Sequence, residues 1–167
     1  MSVHSTGKMV FGIMGITIFL LCMGCDSMNA NKADDNRVRF EHIGINVKDP
    51  VQMADWWVKN LDLKIKRQGE PPVSMHFLSD ADENMMIEIY HNPPEAVPDY
   101  ASMDPLLLHI AFKVDDVKAI QAKLIAAGAT LHSYQVTPDG DEILILRDPW
   151  GVPIQFVKRA NVMLSFE

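Results

Sequence analysis

The sequence predicts an α+β fold made of two βαβββ modules whose strands form a cup-shaped mixed sheet. Three observations carry this. Strand-type alternation and helix-type spacing occur in the order strand, helix, three strands, and then in the same order again. A gapless shift of 67 residues, the separation of His42 and His109, superposes the start and the end of both halves. Both helices open on aspartate, at Asp49-Pro50 and at Asp115-Asp116.

The first strand runs over about 38–47. Asp49 then supplies an N-cap and Pro50 the first helical position, where its missing N–H costs nothing. The helix reaches about Leu61, with Met53, Trp56, Trp57 and Leu61 on its apolar side. Strands follow near 63–68, 73–78 and 85–91. Pro93, Pro94 and Pro98 mark an irregular connection. The fifth strand spans about 106–114. The second helix carries Val117, Ile120, Leu124 and Ala127, and Gly128 ends it. Strands near 130–136, 142–147 and 152–158 complete the order. The modules thus cover about 38–92 and 105–160 within a domain of 38–160, followed by a tail, 161–167.

Under the 67-residue shift His42 falls on His109, Ile43 on Ile110, Gly44 on Ala111, Val47 on Val114 and Asp49 on Asp116. Ile87 falls on Ile154, Glu88 on Gln155 and Ile89 on Phe156. Side chains alternate across a strand, so the apolar members face the helices and the polar members face the concave side. His42, Glu88, His109 and Gln155 therefore hold repeat-equivalent places on one kind of face. Asn46 and Tyr90 share it. His76, His91 and His132 are read as surface residues.

Composition narrows the function classes. The chain has 167 residues, 48% hydrophobic and 22% charged, with a net charge of −7. No Lys/Arg cluster offers a nucleic acid footprint. Both cysteines, Cys22 and Cys25, lie near the N-terminus, so residues 26–167 can form neither a disulfide nor a thiolate site. Met9–Gly24 is an uncharged run of 16 residues, short of the roughly 20 that a spanning helix needs. It reads as the apolar core of a signal peptide, 1–24. Leu21-Cys22-Met23-Gly24-Cys25 resembles a bacterial lipobox, which implies lipidation at Cys25 and a membrane-tethered lipoprotein, periplasmic or extracytoplasmic. Residues 25–37 are polar and aperiodic, as in a flexible tether.

His-Ile-Gly-Ile-Asn-Val at 42–47, His-Ile-Ala-Phe-Lys-Val at 109–114 and Asp-Pro-Trp-Gly-Val-Pro-Ile-Gln at 148–155 resemble motifs of the vicinal oxygen chelate superfamily. This is the glyoxalase, bleomycin resistance protein and dioxygenase superfamily. The resemblance covers roughly 38–160. It implies a divalent ion (Ni, Zn, Mn, Fe or Co) held by His42, Glu88, His109 and Gln155, acting on a small-molecule substrate as a Lewis acid. It also implies that the halves close either within one chain or across a homodimer.

The final-strand position is usually glutamate in this superfamily, and here it is Gln155. An amide oxygen coordinates a metal but does not take a proton at neutral pH. Glu88 is therefore the expected catalytic base. Asn46, Tyr90 and Trp150 are the expected substrate contacts. The activity implied is that of a metal-dependent glyoxalase-like lyase, isomerase or epimerase. The alternatives are a non-catalytic small-molecule-binding module, as in bleomycin resistance, and a ferrous dioxygenase-like enzyme.

Overall fold

Ten elements follow one another in the computed structural model, which describes residues 38–164. The first half holds β1 (His42–Asn46), α1 (Pro50–Leu61), β2 (Lys64–Gln68), β3 (His76–Ser79) and β4 (Met86–Tyr90). The second holds β5 (Ile110–Lys113), α2 (Val117–Ala126), β6 (Thr130–Val136), β7 (Glu142–Arg147) and β8 (Pro153–Lys158). All ten lie in one compact unit that begins at Arg39. The expected signal peptide, lipidation at Cys25 and tether fall on residues outside those described.

Each half forms a four-stranded sheet, and the strand order is the same: β1-β4-β3-β2 and β5-β8-β7-β6. The first strand of each half pairs in parallel with the last, and the remaining pairs are antiparallel. Parallel neighbours need a crossover connection, which the helix and the two intervening strands supply. The register repeats as well. Gly44 stands opposite Glu88, and Ala111 opposite Gln155, as the 67-residue shift requires. One position departs from it. Phe77 pairs with Glu88, whereas Ile145 pairs with Gln155, so β7 is offset by one further residue.

Both helices start where aspartate places them. The Asp49 carboxylate accepts from the Gln52 amide at 3.0 Å, and that of Asp116 accepts from the Ala119 amide at 2.9 Å. α1 buries Met53, Ala54 and Trp57 against β3 and β4, and α2 buries Val117 and Leu124 against β7 and β8. One apolar core spans both halves, from Ile45, Trp57 and Ile89 to Leu124, Leu146 and Phe156. The tryptophans join them. Trp57 is fully buried, meets the Phe112 ring edge-on at 6.2 Å and donates its indole N–H to Asp148 at 2.9 Å. Trp56 donates to the Ala127 carbonyl at 2.9 Å. Removing an aromatic from such a core costs about 3–5 kcal/mol.

Three expected strand starts are corrected, the third strand, expected from 73, beginning only at His76 after a turn at 71–73. Residues 38–41 do not belong to β1, and Val38 and Phe40 are exposed. Residues 106–109 do not belong to β5. Asp104 accepts from the Leu106 amide through its side chain and from the Leu107 amide through its carbonyl, closing a turn that exposes both leucines. An aspartate offering its side chain to nearby amides competes with a ladder in this way.

The Asp-Pro-Trp-Gly turn between β7 and β8 is packed tightly onto the inter-module connection. Gly151 has φ +86, and a Cβ there would lie 2.8 Å from Ala101 backbone and side-chain atoms. Only glycine meets both demands. The Arg147 guanidinium bridges the same two segments, donating to the Tyr100, Met103 and Gly151 carbonyls.

Candidate metal centre

One face of the first sheet brings His42 to Glu88. Nε2 of His42 lies 3.6 Å from a Glu88 carboxylate oxygen. Adjacent strands and matching parity put them there, since β1 and β4 pair in parallel. Glu41 takes the other ring nitrogen, Nδ1, with its carboxylate. The Phe77 ring meets the imidazole edge-on at 5.3 Å. The Glu41 hydrogen bond holds the His42 pKa above its ordinary value. Partial desolvation opposes it, and the charges of Glu41 and Glu88 add to the rise.

His109 is held in a related way. Its Nδ1 lies 2.8 Å from the Pro105 carbonyl. A carbonyl only accepts, so the proton sits on Nδ1 and the Nε2 lone pair is left for a ligand. Metal-binding histidines are usually oriented by such a bond from the other nitrogen. Gln155 is half-buried on β8, between Ala111 on β5 and Ile145 on β7.

Gly44 shapes the first sheet's face. A Cβ on it would lie 3.2 Å from a Tyr90 ring carbon and 3.3 Å from a Glu88 carboxylate oxygen. Tyr90 and Glu88 therefore reach over β1 where a larger residue would crowd them. Gly44→Ala is expected to push Glu88 off His42 and weaken divalent ion binding by about tenfold, with little change in fold stability. Isothermal titration would read the first quantity and urea denaturation the second. Unchanged affinity would contradict this role for Gly44.

A divalent ion needs three or four donors. His42 and Glu88 form one pair of suitable chemistry; in the second half, His109 stands just before β5 and Gln155 on β8. Among the described residues, no three His, Cys, Asp or Glu side chains come within reach of a single ion. Within one chain, the four expected ligands His42, Glu88, His109 and Gln155 are thus not gathered around a single point.

The other expected contacts are distributed differently. Tyr90 lies with His42 and Glu88. The Asn46 side-chain oxygen accepts from the Asn92 amide at 2.9 Å, so it braces the exit of β4. Trp150 lines a separate cavity with Val47, Met53 and Tyr100 that none of the four ligand positions lines. His76, expected at the surface, is 7% exposed, its Nδ1 bonded to the Ser74 carbonyl. His91 is half-buried, with Nδ1 on the Val47 carbonyl, and His132 is exposed. Glu41 and Phe77 were not read from the sequence. An acidic residue directly before His42 was the available signal for Glu41. Phe77 had none, because its contact depends on strand pairing.

Residues 39–156 match the family model described as the Glyoxalase/Bleomycin resistance protein/Dioxygenase superfamily. No curated protein matches the chain. Solved structures do. A glyoxalase family protein from Bacillus cereus is 17% identical with TM-score 0.63, covering 75% of this chain and 97% of its own. TnmS3, an antibiotic binding protein from Streptomyces sp. CB03234, is 16% identical with TM-score 0.60, covering 75% and 98%. A superfamily member from Sphaerobacter thermophilus DSM 20745 is 15% identical with TM-score 0.59, covering 74% and 98%. At these identities the likeness is one of fold.

Proposed function

This chain belongs to the glyoxalase/bleomycin resistance protein/dioxygenase superfamily, and on that premise we propose that it is a metal-dependent lyase, isomerase or epimerase acting on a small oxygenated molecule. The observation that carries the proposal is the facing of His42 Nε2 and the Glu88 carboxylate at 3.6 Å, with Nδ1 of both His42 and His109 already engaged by oxygen. Two imidazoles, one carboxylate and one amide oxygen suit Ni, Zn, Mn, Fe or Co. When bound, such an ion supplies Lewis acidity for charge developing on a substrate oxygen.

Ligand positions left apart within one chain favour an assembly of two. His42 and Glu88 of one copy, joined by His109 and Gln155 of a second, would complete four donors in a homodimer. Glu88 is the one carboxylate among the four positions, so it is the group that moves a proton. Tyr90 and Phe77 flank the same face, which stays open to solvent at His42. The N-terminal leader supports a membrane-tethered, extracytoplasmic placement.

A second reading has its own support. The antibiotic-binding neighbour and the neutral Gln155 both favour a module that binds a small molecule without transforming it. Metal titration separates the two. Submicromolar binding of a divalent ion, lost in Glu88→Ala and in His109→Ala, is expected of the enzyme. A folded protein that binds no ion among Ni, Zn, Mn, Fe and Co would leave the binding module.

A further inference from the structure

We propose a second small-molecule site at the junction of the two modules, one that takes a planar aromatic compound bearing both an anionic and a cationic group. The site is a cavity of about 490 Å³ between the start of α1 and the inter-module connection. That volume falls within the range of ligand pockets, about 300–1,000 Å³. Trp150 and Tyr100 give it aromatic walls, and Val47, Met53, Val97 and Pro98 apolar ones. Such walls suit a flat ring system.

The walls are held before any ligand arrives. The Tyr100 hydroxyl donates to the Asn46 carbonyl at 2.9 Å, and Arg147 clamps the Tyr100 carbonyl at 2.6 Å. The Trp150 amide donates to Asp148 at 3.0 Å, and its ring meets Trp56 edge-on at 6.4 Å. A preformed pocket loses little ordering entropy on binding.

Two charges line the same cavity, Lys48 and Asp99. Neither side chain has a hydrogen bond or ion pair within the described residues. Both are exposed at the cavity's edge, where water solvates them in the free chain, so a ligand with one group of each sign can pair with them over the apolar wall. The repeat does not duplicate this site. The 67-residue shift puts Asp115 at the place of Lys48 and Glu83 at that of Trp150, and Glu83 is held by Lys64 and Lys66. The connection that supplies Val97, Asp99 and Tyr100 occurs once. None of His42, Glu88, His109 or Gln155 lines the cavity, so the site stands independently of ion binding.

Three fluorescent probes that share a naphthalene ring test it on the whole chain. Dansyl-lysine carries both charges, dansylglycine the negative one and dansylcadaverine the positive one. Dansyl-lysine is expected to bind tightest. Val97→Trp, which fills the cavity, should weaken it by about tenfold or more. Lys48→Ala should reduce dansyl-lysine to the affinity of dansylcadaverine, and Asp99→Asn to that of dansylglycine. His42→Ala should leave all three unchanged. The site is refuted if no probe binds the wild-type chain at millimolar concentration. It is equally refuted if a Val97→Trp variant with native circular dichroism binds like wild type, or if His42→Ala weakens the probes as much as Val97→Trp does.

Discussion

Replacing Asp148 by alanine is expected to cost the folded chain about 3 kcal/mol at neutral pH, a large share of a domain's stability. Asp148 is 3% exposed and accepts three bonds, from the Trp57 indole N–H and from the Trp150 and Val152 amides, at 2.9–3.0 Å. Alanine would strand all three donors in the core, where an unmade bond costs about 1–3 kcal/mol each before relaxation. It would also release the contact that ties α1 to the β7–β8 turn. The cost should depend on pH. Burial pushes the Asp148 carboxyl from 3.8 up to about 6, against the pull of its N–H donors. The folded chain then holds the proton more tightly than the unfolded chain, so this group's contribution falls as pH rises between those values. The gap between wild type and Asp148→Ala should therefore widen, by up to about 3 kcal/mol, as pH drops from 7 to 4. Urea denaturation across that range measures it. A variant within about 0.5 kcal/mol of wild type, or a gap that ignores pH, would contradict this assignment.

Glu88→Gln is expected to lower turnover by about 10²–10⁴-fold. The amide keeps the shape and a coordinating oxygen but cannot take a proton. Because Gln155 occupies the repeat-equivalent place, no second carboxylate among the four positions can substitute. Ion affinity should fall less than turnover does. The companion change, Gln155→Glu, should tighten ion binding by about tenfold or more, since it adds a charged ligand. Comparing ion titrations with rates on the same preparations separates the two roles. If Glu88→Gln kept wild-type turnover, the proton-transfer role of Glu88 would be lost.

Much of this was legible in the sequence because the chain states it twice. The 67-residue shift foretold that both halves would share one register, as Gly44 to Glu88 and Ala111 to Gln155 do, though it could not name the pairs. Asp49-Pro50 and Asp116 marked both helix starts, because capping is local chemistry. The misses are non-local or competitive. Phe40 and Leu107 alternate like strand residues, but Asp104 draws the second segment into a turn. Asp62 closes α1 in the left-handed conformation at φ 56, a place where glycine would be expected. Alternation put His42 and Glu88 on one face, as their 3.6 Å approach shows, but it does not extend to His109, which precedes β5. It could not tell how the two sheets join, because that depends on Trp56, Trp57 and Arg147 reaching across to the other module or its connection.

In the proposed assembly, His42 and Glu88 of one chain hold an ion together with His109 and Gln155 of another. Co-expressed His42→Ala and His109→Ala chains test it most directly, with the mixed dimer isolated by two different tags cleaved before analysis. In the mixed dimer one site carries both lesions and the other carries neither. One divalent ion per two chains, against none in either variant alone, is the predicted result. A well-folded mixed dimer with no ion would contradict a site shared between copies.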